Sequence, residues 1–239
     1  IGQCFAAFLI GVYVYIRKKK SRLEEMHNTF MNAITHEMKT PAAVLKNTAE
    51  CLKAGIQPEK QEHYLEIIEQ EADHMNDLLT SMLTYTCVTD SFYQIQKEEC
   101  SLEQLAREMG RHYTDAMEKK KISLIWDINN PVVVRCDRKL MEMVLDNLIS
   151  NAVKFSVEGG VIRISLMARN ISIYNEGKPI PEEEMAHVWK PMYRSDESRA
   201  YKKGSSGMGL AISEAVLKLH GADYGIRNVS DGVEFYIHM

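Results

Sequence analysis

The chain has 239 residues, with 29 Lys and Arg against 33 Asp and Glu, so its formal net charge is −4. This mildly acidic balance argues against nucleic acid as a main partner, because nucleic-acid binding relies on excess positive charge. The five cysteines show neither a close pair nor the spacing of a metal site, which is typical of a reducing compartment. The length suffices for one large domain or two small ones.

The first sixteen residues carry no charge and are mostly apolar. As a helix they would extend roughly 24 Å, whereas a membrane-spanning helix needs about 20 residues. A basic cluster follows directly: Arg17, Lys18, Lys19, Lys20 and Arg22. A signal peptide would carry its basic residues before the apolar run, whereas basic residues after it are typical of the cytoplasmic side of a membrane. We therefore expect residues 1–16 to be part of a transmembrane helix and residues 17–28 to be a basic linker helix near anionic lipid. Residues 17–239 are then cytoplasmic.

The segment around His36 is the strongest candidate for chemistry. His36 is followed at once by Glu37 and four residues later by Thr40. Residues i and i+4 share a helix face, so His36 and Thr40 can act on the same small target. A neutral imidazole beside a carboxylate is a competent nucleophile near neutral pH, and the alternative is a surface histidine on a charged helix. Pro41 lacks a backbone donor, so we expect the helix to bend close to His36.

Two long helices are predicted here, over residues 23–54 and 59–87. The turn residues Gly55 and Pro58 separate them. Apolar residues of the second helix recur at spacings typical of a coiled coil. These residues are Tyr64, Ile68, Met75, Leu78, Met82 and Tyr85. A hairpin of this kind has one apolar face, which dimerisation into a four-helix bundle would bury. The alternative is a hairpin packed on the rest of its own chain.

From about residue 94 the pattern changes to mixed helices and strands. Ser101 and Asp137 are N-cap residues for two predicted helices, and Gly221 ends a third. The predicted helices cover residues 101–120, 137–154 and 208–220. The predicted strands cover residues 122–126, 132–134, 161–166, 171–174, 224–228 and 233–238. Helices mixed with hairpins indicate an α+β sandwich rather than a doubly wound parallel sheet.

One face of the helix after Asp137 carries Asn147, Asn151 and Lys154 at positions i, i+4 and i+7. Amide oxygens suit a hard cation and an ammonium suits phosphate, so this face fits a magnesium-bound polyphosphate. The alternative is an ordinary solvated helix face.

Three further clusters are polar, aromatic or glycine-rich. They cover residues 175–180, 189–194 and 204–210. The last runs directly into a helix, where glycines expose backbone N–H groups and the helix dipole favours an anion. Any one of these clusters alone is weak evidence, because a glycine loop is more often just a turn.

Taken in order, the clusters resemble one family: membrane-bound sensor histidine kinases of two-component systems. The matching segments are His36–Pro41, Asn147–Phe155, Asn175–Ile180, Trp189–Tyr193 and Gly204–Leu210. The resemblance implies an α+β fold with an N-terminal transmembrane helix, a dimeric helical hairpin and an ATP-binding α/β sandwich of the GHKL (Bergerat) type. The hairpin would be a dimerisation and histidine phosphotransfer domain over residues 29–91, and the catalytic domain would cover 95–239. A bacterial cytoplasmic membrane is the implied location.

The resemblance also implies roles for the candidate residues of the first segment. The histidine matching His36 attacks the γ-phosphorus of ATP, and the phosphoryl group then passes to an aspartate of a response regulator. Glu37 would act as the general base for the imidazole proton. Thr40 would position a water that removes phosphate from the regulator, so a phosphatase activity is implied as well.

The remaining segments imply a site for ATP and Mg2+. Asn151, together with Asn147, would hold the magnesium ion, Lys154 would meet phosphate and Phe155 could pack on adenine. Residues 194–206 would form a lid with basic residues available to phosphate. The implied nucleotide-binding residues are Asn147, Asn151, Lys154, Phe155, Asn175, Gly177, Arg194, Lys203, Gly204, Gly207 and Gly209.

The first glycine-containing segment departs from the family pattern at two positions. Asn175 stands where the family has an aspartate, and Pro179 stands where it has a second glycine. An amide carbonyl accepts a hydrogen bond from adenine without charge assistance, which weakens affinity roughly tenfold. Two alternatives therefore accompany the kinase hypothesis. One is a catalytically weak receptor that acts mainly as a regulator phosphatase or scaffold, and the other is a GHKL-type ATPase.

Overall fold

The computed structural model of the chain describes residues 2–90, 92–128, 132–194 and 207–239. The chain divides into two compact units, Ile1–Leu78 and Leu79–Met239. The boundary falls inside a long helix, which therefore belongs to both units. The domain limits expected above, 29–91 and 95–239, remain predictions.

The first unit is helical. Helix α1 covers Gly2–Lys53, a 3-10 turn covers Pro58–Lys60, and α2 covers Gln61–Thr89. Between the helices, Gly55 and Gln57 have positive φ angles of 64° and 52°, and glycine adopts this conformation without a steric penalty. The two predicted helices and their turn are confirmed, and α1 begins well before residue 23. It continues through Pro41 as one helix, and the expected bend remains a prediction.

The helical unit buries narrow apolar stripes. Phe30, Ile34 and Pro41 of α1 are buried and follow one another at spacings of four and seven, which places them on one helix face. On α2, the members of the predicted stripe within this unit are half-buried or buried. These are Tyr64, Ile68, Met75 and Leu78.

Among the described residues, no helix has a stretch that is both long and apolar enough to cross a membrane.

The second unit contains two sheets among its described residues. The strands are Glu98–Ser101 (β1), Ser123–Ile128 (β2), Val133–Cys136 (β3), Val161–Met167 (β4), Asn170–Glu176 (β5), Asp223–Val229 (β6) and Gly232–His238 (β7). The main sheet has the order β2-β4-β5-β7-β6, and β1 pairs with β3 in a separate antiparallel ladder. In the main sheet β2 runs parallel to β4, and the other neighbours are antiparallel. The α+β sandwich with its two hairpins is confirmed, whereas β1 was not predicted.

Local signals explain where the helices of this unit begin and end. The described helices are Leu102–Arg111 (α3), Thr114–Lys119 (α4), Arg138–Phe155 (α5), Glu182–Met185 (α6) and Gly209–His220 (α7). The Ser101 hydroxyl accepts from the Gln104 N–H at 3.3 Å, and the Asp137 carboxylate accepts from the Leu140 N–H at 3.2 Å. Both predicted N-caps are therefore present. Gly221 ends α7 with a φ of 72°, as expected for a glycine after a helix.

The prediction of a single helix over residues 101–120 is wrong. This range contains two helices, α3 and α4, which are separated at His112 and Tyr113. The Tyr113 hydroxyl lies near Ser150 and Asp146 of α5, and burial raises its pKa to about 12. This tertiary contact outweighs the local helical pattern.

Helix α5 is the centre of the sandwich core. It contacts α3, α7 and β5, and burial of each large aliphatic side chain contributes about 1.5–3 kcal/mol. Its fully buried side chains include Met141, Leu145, Leu148 and Ile149, opposite Ile162, Ile164, Ile171 and Ile173 of the sheet. Because these apolar residues fix the rotation of α5, the polar face that carries Asn147, Asn151 and Lys154 is also fixed.

Candidate functional site

The phosphoacceptor candidate is an accessible position on α1. His36 and Thr40 are exposed, whereas Glu37 is half-buried. The neighbouring Thr35 hydroxyl donates to the Met31 carbonyl at 2.8 Å, so that hydroxyl is engaged with the helix backbone. A reactant therefore has access to the His36 imidazole and to the Thr40 hydroxyl one turn away.

Asn147 connects α5 to the start of α7. Its Nδ2 donates to the Gly209 carbonyl at 3.1 Å and to the Ser213 hydroxyl at 3.4 Å. A Cβ at Gly209 would lie 2.8 Å from the Asn147 Oδ1, so the close approach requires glycine. Asn147 thus positions the glycine segment in addition to any role toward a cation.

Lys154 and Arg194 form a cationic pair at the end of α5. Both side chains are half-buried, and burial, followed by the charge of Arg194, lowers the pKa of Lys154. The Lys154 ammonium also lies 5.0 Å from the centroid of the Phe155 ring. Asn151 is half-buried one turn earlier on α5.

Met192 and Gly207 are joined by a backbone hydrogen bond. The Met192 N–H donates to the Gly207 carbonyl at 3.0 Å. Gly207 has a φ of 66°, and a Cβ there would lie 3.0 Å from the Met192 carbonyl carbon and from the Tyr193 oxygen. Only glycine fits this position. The predicted residues Lys203 and Gly204 lie outside the described residues.

The predicted site residues Asn175 and Gly177 lie at the end of β5 and directly after it. Asn175 of β5 is only 2% exposed. A Cβ at Gly177 would lie 2.6 Å from the Phe155 carbonyl oxygen and 3.2 Å from the Asn175 Nδ2. The loop after β5 and the end of α5 therefore approach each other at the backbone, and Phe155 itself remains 37% exposed.

Sequence reasoning missed Asn228, which holds the loop that contains Pro179. Its Nδ2 donates to the Ile180 carbonyl at 2.7 Å, and its Oδ1 accepts from the Ile180 N–H at 2.9 Å. Asn228 and Asn175 both pair with Val233, so the two amides project from the same face of the sheet. The sequence carries no signal for this clamp, because Asn228 lies 48 residues from Ile180.

Within the described part of the chain, no group of three or more His, Cys, Asp or Glu side chains is arranged to hold a metal ion. Amide oxygens, together with the oxygens of a bound phosphate group, are a different donor set that suits Mg2+. Asn147 and Asn151 of α5 carry amides of this kind, one turn apart on the same helix.

Two family models match successive parts of the chain. The model "His Kinase A (phospho-acceptor) domain" matches residues 26–90, which contain His36. The model "Histidine kinase-, DNA gyrase B-, and HSP90-like ATPase" matches residues 136–239, which contain α5, α7 and the glycine segments. The two matches stand in the order of a phosphoacceptor domain followed by an ATPase domain, as the resemblance to sensor histidine kinases implied. The arrangement of a phosphoacceptor hairpin followed by a GHKL ATP-binding domain is thereby confirmed.

Curated sensor histidine kinases are similar to this chain over nearly all of its length. The sensor histidine kinase WalK of Bacillus subtilis is 29% identical over 227 residues, which are 90% of this chain and 36% of WalK. The sensor protein VanSB of Enterococcus faecalis is 28% identical over 92% of this chain and 51% of its own length. The chain thus spans about a third to a half of the length of these relatives.

Solved structures agree with the fold. The catalytic domain of histidine kinase ThkA is 28% identical, with a TM-score of 0.55 over 61% of this chain and 95% of that domain. Histidine kinase ThkA in complex with the response regulator protein TrrA gives a TM-score of 0.73 at 24% identity, over 93% of this chain and 64% of that one.

Proposed function

We propose that this chain is an ATP-dependent protein-histidine kinase that phosphorylates itself on His36 and then phosphorylates an aspartate of a response regulator. The observation that carries the proposal is the match of residues 26–90, which contain the exposed His36, to a phosphoacceptor domain, followed by the match of residues 136–239 to an ATPase domain. The exposed imidazole of His36 is a nucleophile for the terminal phosphorus of a nucleoside triphosphate.

The nucleotide would bind to the second unit. Lys154 and Arg194 would contact phosphate, with Lys203 as a further candidate, and the amide of Asn175 and the ring of Phe155 would contact adenine. The glycines would let the backbone approach the triphosphate closely. These are Gly177, Gly204, Gly207 and Gly209.

Mg2+ is the metal that this donor set fits. The amide oxygens of Asn151 and Asn147 would hold it together with phosphate oxygens, and the bound ion would supply charge neutralisation. Asn147 already donates through its nitrogen, so its amide oxygen would be the ligand for the ion.

The chemical step requires few protein groups. A ring nitrogen of His36 attacks the γ-phosphorus, an N–P bond forms, and the bond from phosphorus to the leaving oxygen of ADP breaks. Glu37 takes the imidazole proton. Phosphoryl transfer depends on positioning and charge neutralisation more than on covalent help. The product is a phosphoramidate, which passes its phosphoryl group to a regulator carboxylate.

We further propose a homodimer with a cognate response regulator as partner. Support comes from the apolar stripe on α2 and from the solved complex of ThkA with its response regulator. The uncharged residues 1–16 and the basic residues that follow support attachment to a bacterial cytoplasmic membrane, with residues 17–239 in the cytoplasm.

The kinase proposal is tested by incubating the chain with γ-labelled ATP and Mg2+. We expect label on the protein that acid removes and base does not, as for a phosphoramidate, and no label on His36→Gln. Acid-stable label would contradict the proposal. Released phosphate without labelled protein would identify an ATPase instead.

A second candidate function is removal of phosphate from the regulator. The exposed hydroxyl of Thr40, one turn after His36, favours it. We expect Thr40→Ala to dephosphorylate the regulator slowly while it still labels His36. If Thr40→Ala and the unaltered chain dephosphorylate the regulator at the same rate, the role of Thr40 is refuted.

A further inference from the structure

Lys120 caps the end of the helix that carries the nucleotide-site residues. Its Nζ donates to the carbonyl oxygens of Val153 at 3.0 Å, Lys154 at 2.8 Å and Ser156 at 3.4 Å. The last carbonyls of a helix have no partner within the helix, and an ammonium has three donors to offer them. The positive charge also lies at the negative end of the α5 dipole.

The backbone around Lys120 fixes this cap. The Lys120 carbonyl accepts from the Gly159 N–H at 2.9 Å, and the Ile122 N–H donates to the Met117 carbonyl at 2.9 Å. The turn after α4 is thus hydrogen-bonded both to itself and to the loop that follows α5. The half-buried ammonium of Lys120 is held against α5 rather than extended into solvent.

The capped turn carries the groups that face the nucleotide site. Lys154 accepts the shortest of the three Lys120 bonds through its own carbonyl, while its side chain lies beside Arg194 and the Phe155 ring. The Phe155 carbonyl is in close contact with Gly177. A shift of this turn would therefore move Lys154, Phe155 and the loop at Gly177 together.

We propose that Lys120 is a positioning residue of the nucleotide site, which by capping α5 holds Lys154 and Phe155 in the arrangement that binds ATP. This inference rests on the proposed function of that site. Lys120 acts through the main chain of α5 and does not contact the nucleotide. Loss of the cap frays the last turn of α5, so binding must then reorder it.

The neighbouring Lys121 provides a matched control. It is exposed, and its ammonium lies 3.5 Å from the Glu158 carboxylate, so it shares the charge of Lys120 without the cap. We would measure the Kd of a non-hydrolysable ATP analogue with Mg2+ for Lys120→Met, Lys120→Arg and Lys121→Met. Lys120→Met is expected to bind about tenfold more weakly, the equivalent of one charge-assisted hydrogen bond. Lys121→Met is expected to match the unaltered chain.

Amide hydrogen exchange without nucleotide separates positioning from direct contact. The Ser156 N–H donates to the Ala152 carbonyl at 3.0 Å, and this amide is expected to exchange faster in Lys120→Met than in Lys121→Met. Equal Kd values for the two Met variants would overturn the proposal. So would weaker binding by Lys120→Met with unchanged exchange at Ser156.

Lys120→Arg keeps the charge but presents a planar fork to three carbonyls. It is expected to bind the analogue more weakly than the unaltered chain, and it decides the question if Lys120→Met does not fold. An unchanged Kd for Lys120→Arg would then overturn the proposal. If the unaltered chain failed to bind the analogue, the proposed function would fall, and exchange at Ser156 would still decide whether Lys120 caps α5.

Discussion

The two units place their candidate residues in opposite environments. On α1, His36 and Thr40 are exposed on a helix surface. In the sandwich, Asn147 is hydrogen-bonded to the start of α7, and Asn175 is almost completely buried. The helical unit thus exposes its candidate nucleophile to solvent, whereas the candidate residues of the sandwich are held by their neighbours.

This difference matches the partners that each unit would meet. A phosphoacceptor that receives a phosphoryl group and then donates it to a regulator must be reached by two large reactants, and exposure permits both. A nucleotide site gains affinity from groups that are already in place, because less ordering is needed on binding. Substitutions in the sandwich should therefore lower stability, whereas substitutions on α1 should lower the rate of phosphoryl transfer.

The largest expected effect is that of Gly177→Ala. The added methyl group would meet the Phe155 carbonyl oxygen at 2.6 Å, so the loop and the end of α5 must separate. We expect the free energy of unfolding to fall by about 1–3 kcal/mol and ATP affinity to fall about 10- to 100-fold. Chemical denaturation and calorimetric titration measure the two quantities.

Gly110→Ala is the control for this substitution. Its added methyl group would meet the Trp126 ring at 3.4 Å, an ordinary contact, and alanine favours a helix over glycine. We expect unchanged or slightly higher stability and unchanged ATP affinity. Equal stability and equal ATP affinity of the two variants would show that the close approach of the loop to Phe155 does not matter for binding.

An intermediate effect is expected for Asn175→Asp. A carboxylate would accept a hydrogen bond from the adenine amino group with charge assistance, so ATP should bind about tenfold more tightly. The same carboxylate is costly in a nucleotide-free site, because Asn175 is 2% exposed. Stability without nucleotide should therefore fall. An affinity for ATP that stays the same or falls would contradict the placement of adenine at Asn175.

The smallest expected effect concerns pH and His220, which joins the end of α7 to the start of α5. Its Nε2 accepts from the Asp137 N–H at 2.9 Å, and its Nδ1 lies 2.8 Å from the Val216 carbonyl. Burial is the main cause that lowers the pKa of His220 below 6.5. The unfolded chain then binds the proton first, so this contribution to stability is complete above pH 6.5 and decreases as the pH falls through the folded-state pKa.

Denaturation at about pH 7.5 and about pH 5.5 measures this contribution. The unaltered chain should lose more stability on acidification than His220→Gln, which has no group that titrates in this range. The same loss in both chains would exclude a contribution from His220.

Sequence signals that each span only a few residues predicted most of the fold. Ser101, Asp137 and Gly221 mark helix ends through their own hydrogen bonds or φ angle, and each lies where expected. Strand β1 was missed because three of its four residues are polar, whereas its partner β3 contains the consecutive valines Val133 and Val134. The break at Tyr113 was missed because it depends on contacts with α5, which no local pattern encodes.

In the candidate site too, contacts between residues far apart in the sequence were not predicted. The motifs predicted Asn147, Asn151 and Lys154 of α5 as site residues because these three share one helix face. The hydrogen bond from Asn147 to Gly209 joins residues 62 positions apart, and the cap by Lys120 reaches 33 to 36 positions along the chain. Only the folded sandwich brings these groups together.

The central claim is that one unit supplies the nucleophile and the other binds ATP. The most direct test compares His36→Gln with Asn151→Ala for both nucleotide affinity and transfer of label from γ-labelled ATP. The account predicts that His36→Gln binds ATP as tightly as the unaltered chain yet acquires no label, whereas Asn151→Ala loses both. Label on His36→Gln, or loss of ATP binding by that variant, would contradict it.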